Sequence, residues 1–361
     1  MGRYYSIVFL FSFFFVACKK DNGSPTKVYP APTSYNLAPL PLFPANNLPA
    51  NNPLTVEGIE LGRALFYDPI LSGNNTQSCA SCHNSSYGFT DNGRQFSQGI
   101  TGQTGTRNSM PLFNLQWNNR FFWDGRSSSL QSQVLIPIED PIEMHEQLPN
   151  AIQELQALPF YRERFGRAFG DEKVDASRIA KALEQFLLIH VSGRSKFDLS
   201  MTGLAQLSPS EQRGLDLFRA EFSPPGSGRP AGADCFHCHG TVLFTNNQFL
   251  NNGLDSVFTD IGFQRVTGSA SDRGKFKVPS LRNVELTAPY MHDGRFSTLE
   301  EVVEHYNSGI KSSPTLDPNM KSQGSGLGLN PQQKADLVAF LKTLTDTSYV
   351  NNPMLQNPFE N

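Results

Sequence analysis

The sequence predicts an all-α protein built from two tandem domains with long loops. Strand-like alternation of apolar and polar residues is scarce along the 361 residues, whereas two stretches carry apolar residues at helical spacing. A short cysteine-containing motif also occurs twice, once in each half of the chain, and similar residues precede both copies. A chain of this length is typical of about two domains.

The composition limits the classes of protein to consider. Hydrophobic residues make up 38% of the chain and charged residues 17%, which is ordinary for a chain that buries a core. The net charge of −3 argues against a nucleic-acid partner and against a highly charged disordered chain. Five cysteines are too few for a scaffold held together by disulfides.

Residues 1–18 are predicted to be a lipoprotein signal peptide. The apolar run from Ile7 to Ala17 is too short for a permanent membrane helix and fits the core of a signal peptide. It ends in FVAC at 15–18, which resembles a cleavage site at which Cys18 becomes the first mature residue and carries the lipid. The alternative is a plain secretory signal with an incidental cysteine. Both imply export, and we expect a periplasm-facing protein that meets the membrane only through its lipid anchor.

The rest of the chain divides into four predicted parts. Residues 19–51 are rich in Pro, Asn, Ser and Thr without a helical period, which is typical of a flexible tether. We expect an N-terminal domain at 52–195, a C-terminal domain at 196–347 and a tail at 348–361.

The repeated motif is C-x-x-C-H, the attachment signature of a c-type haem. Two thiols at this spacing can reach the two vinyl groups of one porphyrin, and the histidine then ligates the iron. A zinc site or a thioredoxin-like redox pair is the alternative, but neither requires a histidine directly after both pairs. The sequence therefore predicts two covalently bound c-type haems, at Cys79, Cys82 and His83 and at Cys235, Cys238 and His239.

Helices are predicted around each motif. GRALF at 62–66 precedes the first motif and GLDLF at 214–218 precedes the second, while amphipathic stretches at 177–191 and 331–345 follow them. Ser208 is a candidate helix cap, with Pro209 at the first helical position. Because a haem supplies a large apolar nucleus, short helices and long loops are enough to form two cytochrome c-like haem domains.

From about Asn52 to Thr345 the chain resembles the bacterial dihaem cytochrome c peroxidase family, including its MauG-like branch. The resemblance rests on several ordered motifs, which together are far more specific than any one of them. They are LGRALFYDP at 61–69, RN at 107–108, FWDGR at 122–126, Gln133 with PIEM at 141–144, LRN at 281–283 and TAPYMHDG at 287–294.

The resemblance implies that the first haem reacts with peroxide. Glu143 would move a proton between the two peroxide oxygens, and Gln133 would orient the peroxide by hydrogen bonding. Trp123 would relay electrons between the haems. From the residues alone, Glu143 could equally be a solvated loop carboxylate and Trp123 an ordinary core aromatic.

The resemblance also implies a calcium ion between the haems. Asn108 matches the side-chain ligand of that ion, and Thr287 and Pro289 match its backbone-carbonyl ligands. Oxygen donors from loops suit this hard cation. An Asn beside an Arg is otherwise simply a turn residue.

The sequence departs from the common peroxidase pattern in two places. Residues 85–106 lack the histidine that blocks the first iron in the common peroxidase, so we expect an open or water-bound iron there. Tyr306 stands where typical members have the methionine ligand of the second iron, as it does in the MauG-like branch. Met291 and His292 are the rival ligands.

These features favour a dihaem peroxidase that reduces hydrogen peroxide to water. Electrons would come from a small cytochrome c or cupredoxin through the C-terminal haem. The first alternative is a MauG-like oxidase that uses peroxide to modify Trp or Tyr of a partner protein. The second is a dihaem electron carrier without enzyme activity. The family often dimerises, so a homodimer is also expected.

Overall fold

The computed structural model describes residues 1–4, 27–91 and 93–360. Most of the predicted signal peptide, including Cys18, lies outside the described residues. Within those residues the chain is mostly helical with little strand, as predicted. Its helices are α1 Val56–Tyr67, α2 Cys79–Cys82, α3 Leu130–Glu139, α4 Leu148–Ala157, α5 Pro159–Phe169, α6 Ala176–Leu188, α7 Lys196–Met201, α8 Pro209–Arg219, α9 Phe236–His239, α10 Gln264–Thr267, α11 Leu299–Glu304, α12 Pro331–Lys342 and α13 Thr347–Val350.

Short 3-10 turns and a π turn complete the helical content. The 3-10 turns are Pro69–Leu71, Ser85–Tyr87, Leu115–Trp117, Ala270–Asp272, Val284–Leu286 and Pro353–Leu355, and the π turn, His305–Gly309, extends α11. The sheet is limited to β1 Phe249–Leu250, which pairs antiparallel with β2 Phe276–Lys277. No described helix is both long and apolar enough to cross a membrane.

The first hydrophobic core forms where α1 packs against α6. Gly62 allows this close approach, since a Cβ atom there would collide with the carbonyl oxygen of Ala182 in α6. Leu61 and Leu65 of α1 and Phe186 of α6 are completely buried in this core. The predicted amphipathic stretch 177–191 thus contributes its apolar face to the first core as α6.

A second hydrophobic core repeats this arrangement with α8 and α12. A Cβ atom at Gly214 would collide with the carbonyl oxygen of Asp336 in α12. Phe340 of α12 is completely buried. Ser208 caps α8 by accepting a hydrogen bond from the backbone N–H of Glu211, as its sequence predicted.

The predicted tether follows a defined path wherever the structure describes it. The hydroxyl of Tyr29 donates to Glu172 at 2.5 Å, and the backbone N–H of Thr33 donates to Glu57 at 2.7 Å. Farther along, the side chain of Asn47 donates to the carbonyl of Gln116 at 3.1 Å. Several polar groups of residues 27–51 are therefore paired with the rest of the chain.

The C-terminal segment returns to the first core. Tyr349 and Leu355 are buried there, at 2% and 0% exposure. The hydroxyl of Tyr67 in α1 donates to the carbonyl of Leu355 at 2.6 Å, and the guanidinium of Arg63 donates to the carbonyl of Gln356 at 2.6 Å. We call residues 346–356 the C-terminal strap. The strap holds the end of the chain against α1.

Candidate functional site: two haem attachment sites and a peroxide cavity

The first C-x-x-C-H motif presents its histidine in a defined orientation. Nδ1 of His83 donates to the carbonyl of Phe89 at 2.9 Å, which leaves Nε2 as the nitrogen available to a metal. Burial lowers the pKa of His83, so the imidazole is neutral, as an iron ligand must be. The thiols of Cys79 and Cys82 are free, and no disulfide competes with thioether formation.

The second motif has the same geometry. Nδ1 of His239 donates to the carbonyl of Phe244 at 2.8 Å, and Cys235 and Cys238 are free thiols. Phe89 and Phe244 both lie in the left-handed region, with φ of 60° and 53°. Since non-glycine residues rarely adopt this conformation, both sites use strained backbone to aim a carbonyl at the histidine. Both sets of residues fit a c-type haem.

A cavity of about 920 Å³ adjoins the first motif. A volume of this size lies at the upper end of ordinary ligand and cofactor sites. The three residues predicted to be catalytic, Glu143, Gln133 and Trp123, all line this cavity. The first haem motif and the predicted calcium ligand also line it, through Cys79, Cys82, His83 and Asn108.

Glu143 faces the cavity just beyond α3, from the turn at 140–144. Its backbone is fixed on both sides, because its N–H donates to the carbonyl of Asp140 and its carbonyl accepts from Ile100, each at 3.0 Å. Burial raises the pKa of its carboxyl to about 6; Asp140 adds to the rise and Arg126 opposes it. A carboxyl with this pKa can both take and return a proton near neutral pH.

Trp123 is held rigidly beside the cavity. Its exposure is 9%, and its indole N–H donates to the carbonyl of Asn108 at 2.9 Å. Its own carbonyl accepts from the backbone N–H of Lys277 in β2 at 2.8 Å. The side chain of Lys277 also donates to the carbonyl of Arg120 at 2.7 Å. Lys277 therefore fixes the turn that carries Trp123 at two points.

Asn108 forms hydrogen bonds with both halves of the chain. Its backbone N–H donates to the carbonyl of His292 at 2.8 Å, and its buried side-chain amide donates to the carbonyls of Arg94 and Gln95 at 3.2 Å. Among the described residues, no hydrogen-bond donor is paired with the carbonyl oxygens of Thr287 and Pro289. All three predicted calcium ligands thus offer oxygen atoms in loops.

Tyr306 and Met291 converge beside the second motif. Nδ2 of Asn252 lies 3.2 Å from the hydroxyl oxygen of Tyr306 and 3.5 Å from the sulfur of Met291. Burial raises the pKa of Tyr306 to about 12, and Cys235 and Cys238 are near enough to add to this rise. Tyr306 and Met291 therefore lie close together, and the side chain of Asn252 contacts both of them.

The remaining histidines make other contacts, and His292, the second rival ligand, lines the cavity beside the first motif. The ring of His292 stacks on Phe276 with centroids 3.6 Å apart, and His305 approaches the carbonyl of Asn252 at 3.2 Å. His145 is exposed. His237 pairs with Asp234 at 3.1 Å.

Sequence reasoning gave no role to several residues that shape the site. Arg126 lies over the ring of Phe122, 3.5 Å from its centroid, and lowers the pKa of Glu143. The carbonyls of Phe89 and Phe244 orient the two histidines. The sequence signal for these two carbonyls is a Phe-Thr pair that follows each motif, at 89–90 and 244–245.

Comparisons with known proteins agree with this geometry. Residues 56–206 match the family of di-haem cytochrome c peroxidases. The chain is 36% identical to the methylamine utilization protein MauG of Methylorubrum extorquens, over 82% of this chain and 80% of that protein. It is also 36% identical to the cytochrome c551 peroxidase of Nitrosomonas europaea, over 84% of each. The crystal structure of a MauG-like protein associated with microbial copper homeostasis superposes with a TM-score of 0.80, at 36% identity over 91% of this chain and all of that one.

The two motifs and the cavity define an oxidoreductase that carries two c-type haems. The chain belongs to the di-haem cytochrome c peroxidase family, which includes MauG.

Proposed function

We propose that the protein reduces hydrogen peroxide to water at the first haem site, with electrons that enter through the second. The main support for this proposal is that Glu143, Gln133 and Trp123 line one cavity together with the first C-x-x-C-H motif. The haem would supply the iron that holds peroxide and accepts its oxidising equivalents. The chain's own residues would position the peroxide and move its protons.

Glu143 is proposed as the group that moves the proton. Because its pKa is raised to about 6, it is mostly ionised at neutral pH and can accept the proton of the nearer peroxide oxygen. The resulting acid can return the proton to the farther oxygen, which leaves as water. Gln133 would orient the peroxide through its amide, which does not compete for the proton.

A second candidate function is peroxide-dependent oxidation of Trp or Tyr in a partner protein, as in the MauG-like branch. Tyr306 favours it, because a tyrosine ligand lowers the potential of an iron, whereas a methionine ligand raises it. The buried phenol has a pKa of about 12, so near neutral pH it would release its proton to solvent only if its oxygen bound a metal cation. A second centre of low potential would store an oxidising equivalent and discharge it into a protein substrate.

The third candidate function is electron transfer without enzyme activity. A dihaem carrier needs both irons to have two protein ligands. No histidine occurs between Ser85 and Thr106, where the common peroxidase places the blocking ligand. The lack of that residue favours an enzyme with an open first iron.

The proposal also covers the domains of the chain, its calcium site, its location and its association. Residues 52–195 and 196–347 would each form a cytochrome c-like haem domain, in agreement with the two separate cores. Calcium would bind at Asn108, Thr287 and Pro289. The chain would be exported, anchored through a lipid on Cys18, and would associate as a homodimer.

One experiment separates the three functions. The ferric holoenzyme is examined by optical and EPR spectroscopy, then given stoichiometric peroxide with and without reduced cytochrome c. Rapid oxidation of the cytochrome supports the peroxidase. A long-lived oxidised state that cytochrome barely discharges supports the MauG-like role. Two low-spin irons that do not react with peroxide would contradict both enzyme functions.

A further inference from the structure

The C-terminal strap brings a tyrosine into contact with a histidine that the proposed function does not use. Tyr349 is 2% exposed and His190 is completely buried. The hydroxyl oxygen of Tyr349 lies 3.0 Å from Nδ1 of His190, although the two residues are 159 positions apart. Within the described structure, Nε2 of His190 has no hydrogen-bond partner. The hydroxyl of Tyr349 is thus the one polar contact of this imidazole.

The hydroxyl proton of Tyr349 has two acceptors within reach. Nδ1 of His190 lies at 3.0 Å and accepts this proton in the tautomer that carries the ring hydrogen on Nε2, and the carbonyl of Leu112 lies at 3.3 Å. Burial, with a smaller contribution from His83, lowers the pKa of His190 to about 3, so the ring is neutral at rest. Burial also raises the pKa of Tyr349 well above its usual value, so the phenol holds its proton at rest.

The pair is linked through Phe89 to His83, the predicted iron ligand of the first site. The ring of Phe89 is in edge-to-face contact with His190, with centroids 4.5 Å apart, and lies 5.6 Å from the ring of Tyr349. The carbonyl of the same Phe89 accepts the hydrogen bond from His83. One residue therefore connects Tyr349 to the first haem site.

A buried tyrosine needs a base in order to be oxidised. Loss of an electron alone would leave a tyrosyl radical cation, a very strong acid, in an apolar core. If the proton moves to an adjacent imidazole in the same step, the tyrosine becomes a neutral radical and the positive charge passes to the imidazolium, a much weaker acid. Trp123 lacks such a base, because its indole N–H donates to a carbonyl, which cannot take up a proton. Trp123 therefore suits brief electron transfer, whereas Tyr349 suits storage.

We propose that Tyr349 is a redox-active residue that stores one oxidising equivalent when peroxide has reacted and no electron donor is bound. This inference rests on the proposed reaction with peroxide. Tyr349 gives one electron to the oxidised first site, its O–H bond breaks, and the proton forms a new N–H bond at Nδ1 of His190. The centre is reduced by one equivalent and the tyrosine is oxidised by one. When a donor arrives, an electron and the same proton return to the phenol.

The test uses the holoenzyme with one equivalent of peroxide and no donor, followed by freeze-quenching and EPR spectroscopy. We expect a radical signal that narrows when the tyrosine rings are deuterated and that is lost in Tyr349→Phe. Tyr67→Phe is the matched control, since that hydroxyl lies in the same aromatic cluster but donates to the carbonyl of Leu355. It should keep the signal. A signal that does not narrow, or that persists in Tyr349→Phe, overturns the proposal.

A measurement on the unmutated enzyme covers the case in which Tyr349→Phe loses haem. With ¹⁵N-labelled histidine, double-resonance spectra should show coupling between the radical and the nitrogen of His190. Absence of this coupling overturns the proposal. Optical spectra distinguish its failure from that of the proposed function. A haem spectrum that changes with peroxide while no tyrosine radical forms contradicts only the storage role, whereas an unchanged haem spectrum contradicts both.

Discussion

The indole nitrogen of Trp123 donates a 2.9 Å hydrogen bond to the backbone carbonyl of Asn108. The backbone N–H of the same Asn108 donates to the carbonyl of His292, in the half of the chain that carries the second motif. Trp123 is thus linked through Asn108 to both halves of the chain. This link supports the proposed role of Trp123 as an electron relay.

The relay is tested by Trp123→Phe, which removes the most easily oxidised side chain and its hydrogen bond. We expect slower discharge of the peroxide-oxidised enzyme by reduced cytochrome c, measured by stopped-flow spectroscopy, with unchanged haem content. Trp117→Phe is the control, since its indole donates to the carbonyl of Ala45 in the N-terminal segment. Equal rates in both variants would contradict the relay.

Glu143→Gln should slow peroxide consumption by about 100- to 10,000-fold, the usual contribution of a positioned acid–base group. Glu139→Gln is the control, because that neighbouring carboxylate is exposed. Haem content, measured by absorbance, should be unchanged in both. Unaltered turnover in Glu143→Gln would exclude it as the group that moves the proton.

The pH dependence of the unmutated enzyme follows from the same carboxyl. Its pKa is raised to about 6, and only the ionised form can accept a proton from peroxide. The rate of peroxide consumption should therefore be highest above this pH and fall as pH decreases through about 6. Glu143→Gln should lack this fall in a pH–rate profile. A profile that is flat between pH 5 and 8 would count against the assignment.

Tyr306→Phe should change the optical and EPR spectra of the second haem and leave those of the first unchanged. Met291→Leu, which removes the rival ligand near the same Asn252, should leave both spectra as they are. Tyr290→Phe controls for loss of a hydroxyl, since that phenol donates to the carbonyl of Val284. If Met291→Leu alone alters the second haem, the methionine is the ligand.

Asp198→Asn should lower the free energy of unfolding by about 3–5 kcal/mol, since it leaves a buried guanidinium without its counter-charge. Arg282 is completely buried and pairs with Asp198 at 2.8 Å through two nitrogens. Asp216→Asn changes an exposed carboxylate and should have little effect. Chemical denaturation of both variants measures the difference. Equal stabilities would show that the pair contributes no net stabilisation.

Sequence patterns predicted α6 and α12, one helix of each core, from their apolar residues at helical spacing. The stretches 177–191 and 331–345 appear as Ala176–Leu188 and Pro331–Lys342, each a few residues shorter at its end. The last turn of a helix depends on tertiary contacts, which periodicity does not report. Ser208 was predictable because its cap involves only the next three residues.

The paths of the two ends of the chain were not predictable. Leu355 is a single buried leucine within a segment rich in Asn and Pro, so no periodicity marks it. Its partner Tyr67 lies 288 positions away. At the site, the motifs indicated the side chains of His83 and His239. They did not indicate the carbonyls of Phe89 and Phe244, because the C-x-x-C-H motif specifies side chains, and only the Phe-Thr pair that follows each motif marks these positions.

The C-terminal strap also determines the order in which the molecule can be completed. Chains are synthesised from the N-terminus, so Tyr349 and Leu355 arrive after the other helices of the first core. The first core contains α1, and it is complete only when the strap packs against that helix. The second core contains no residue of the strap and can close earlier. If haem is attached at Cys79 and Cys82 before residues 346–356 are in place, the first core is completed only afterwards, when the strap packs against α1.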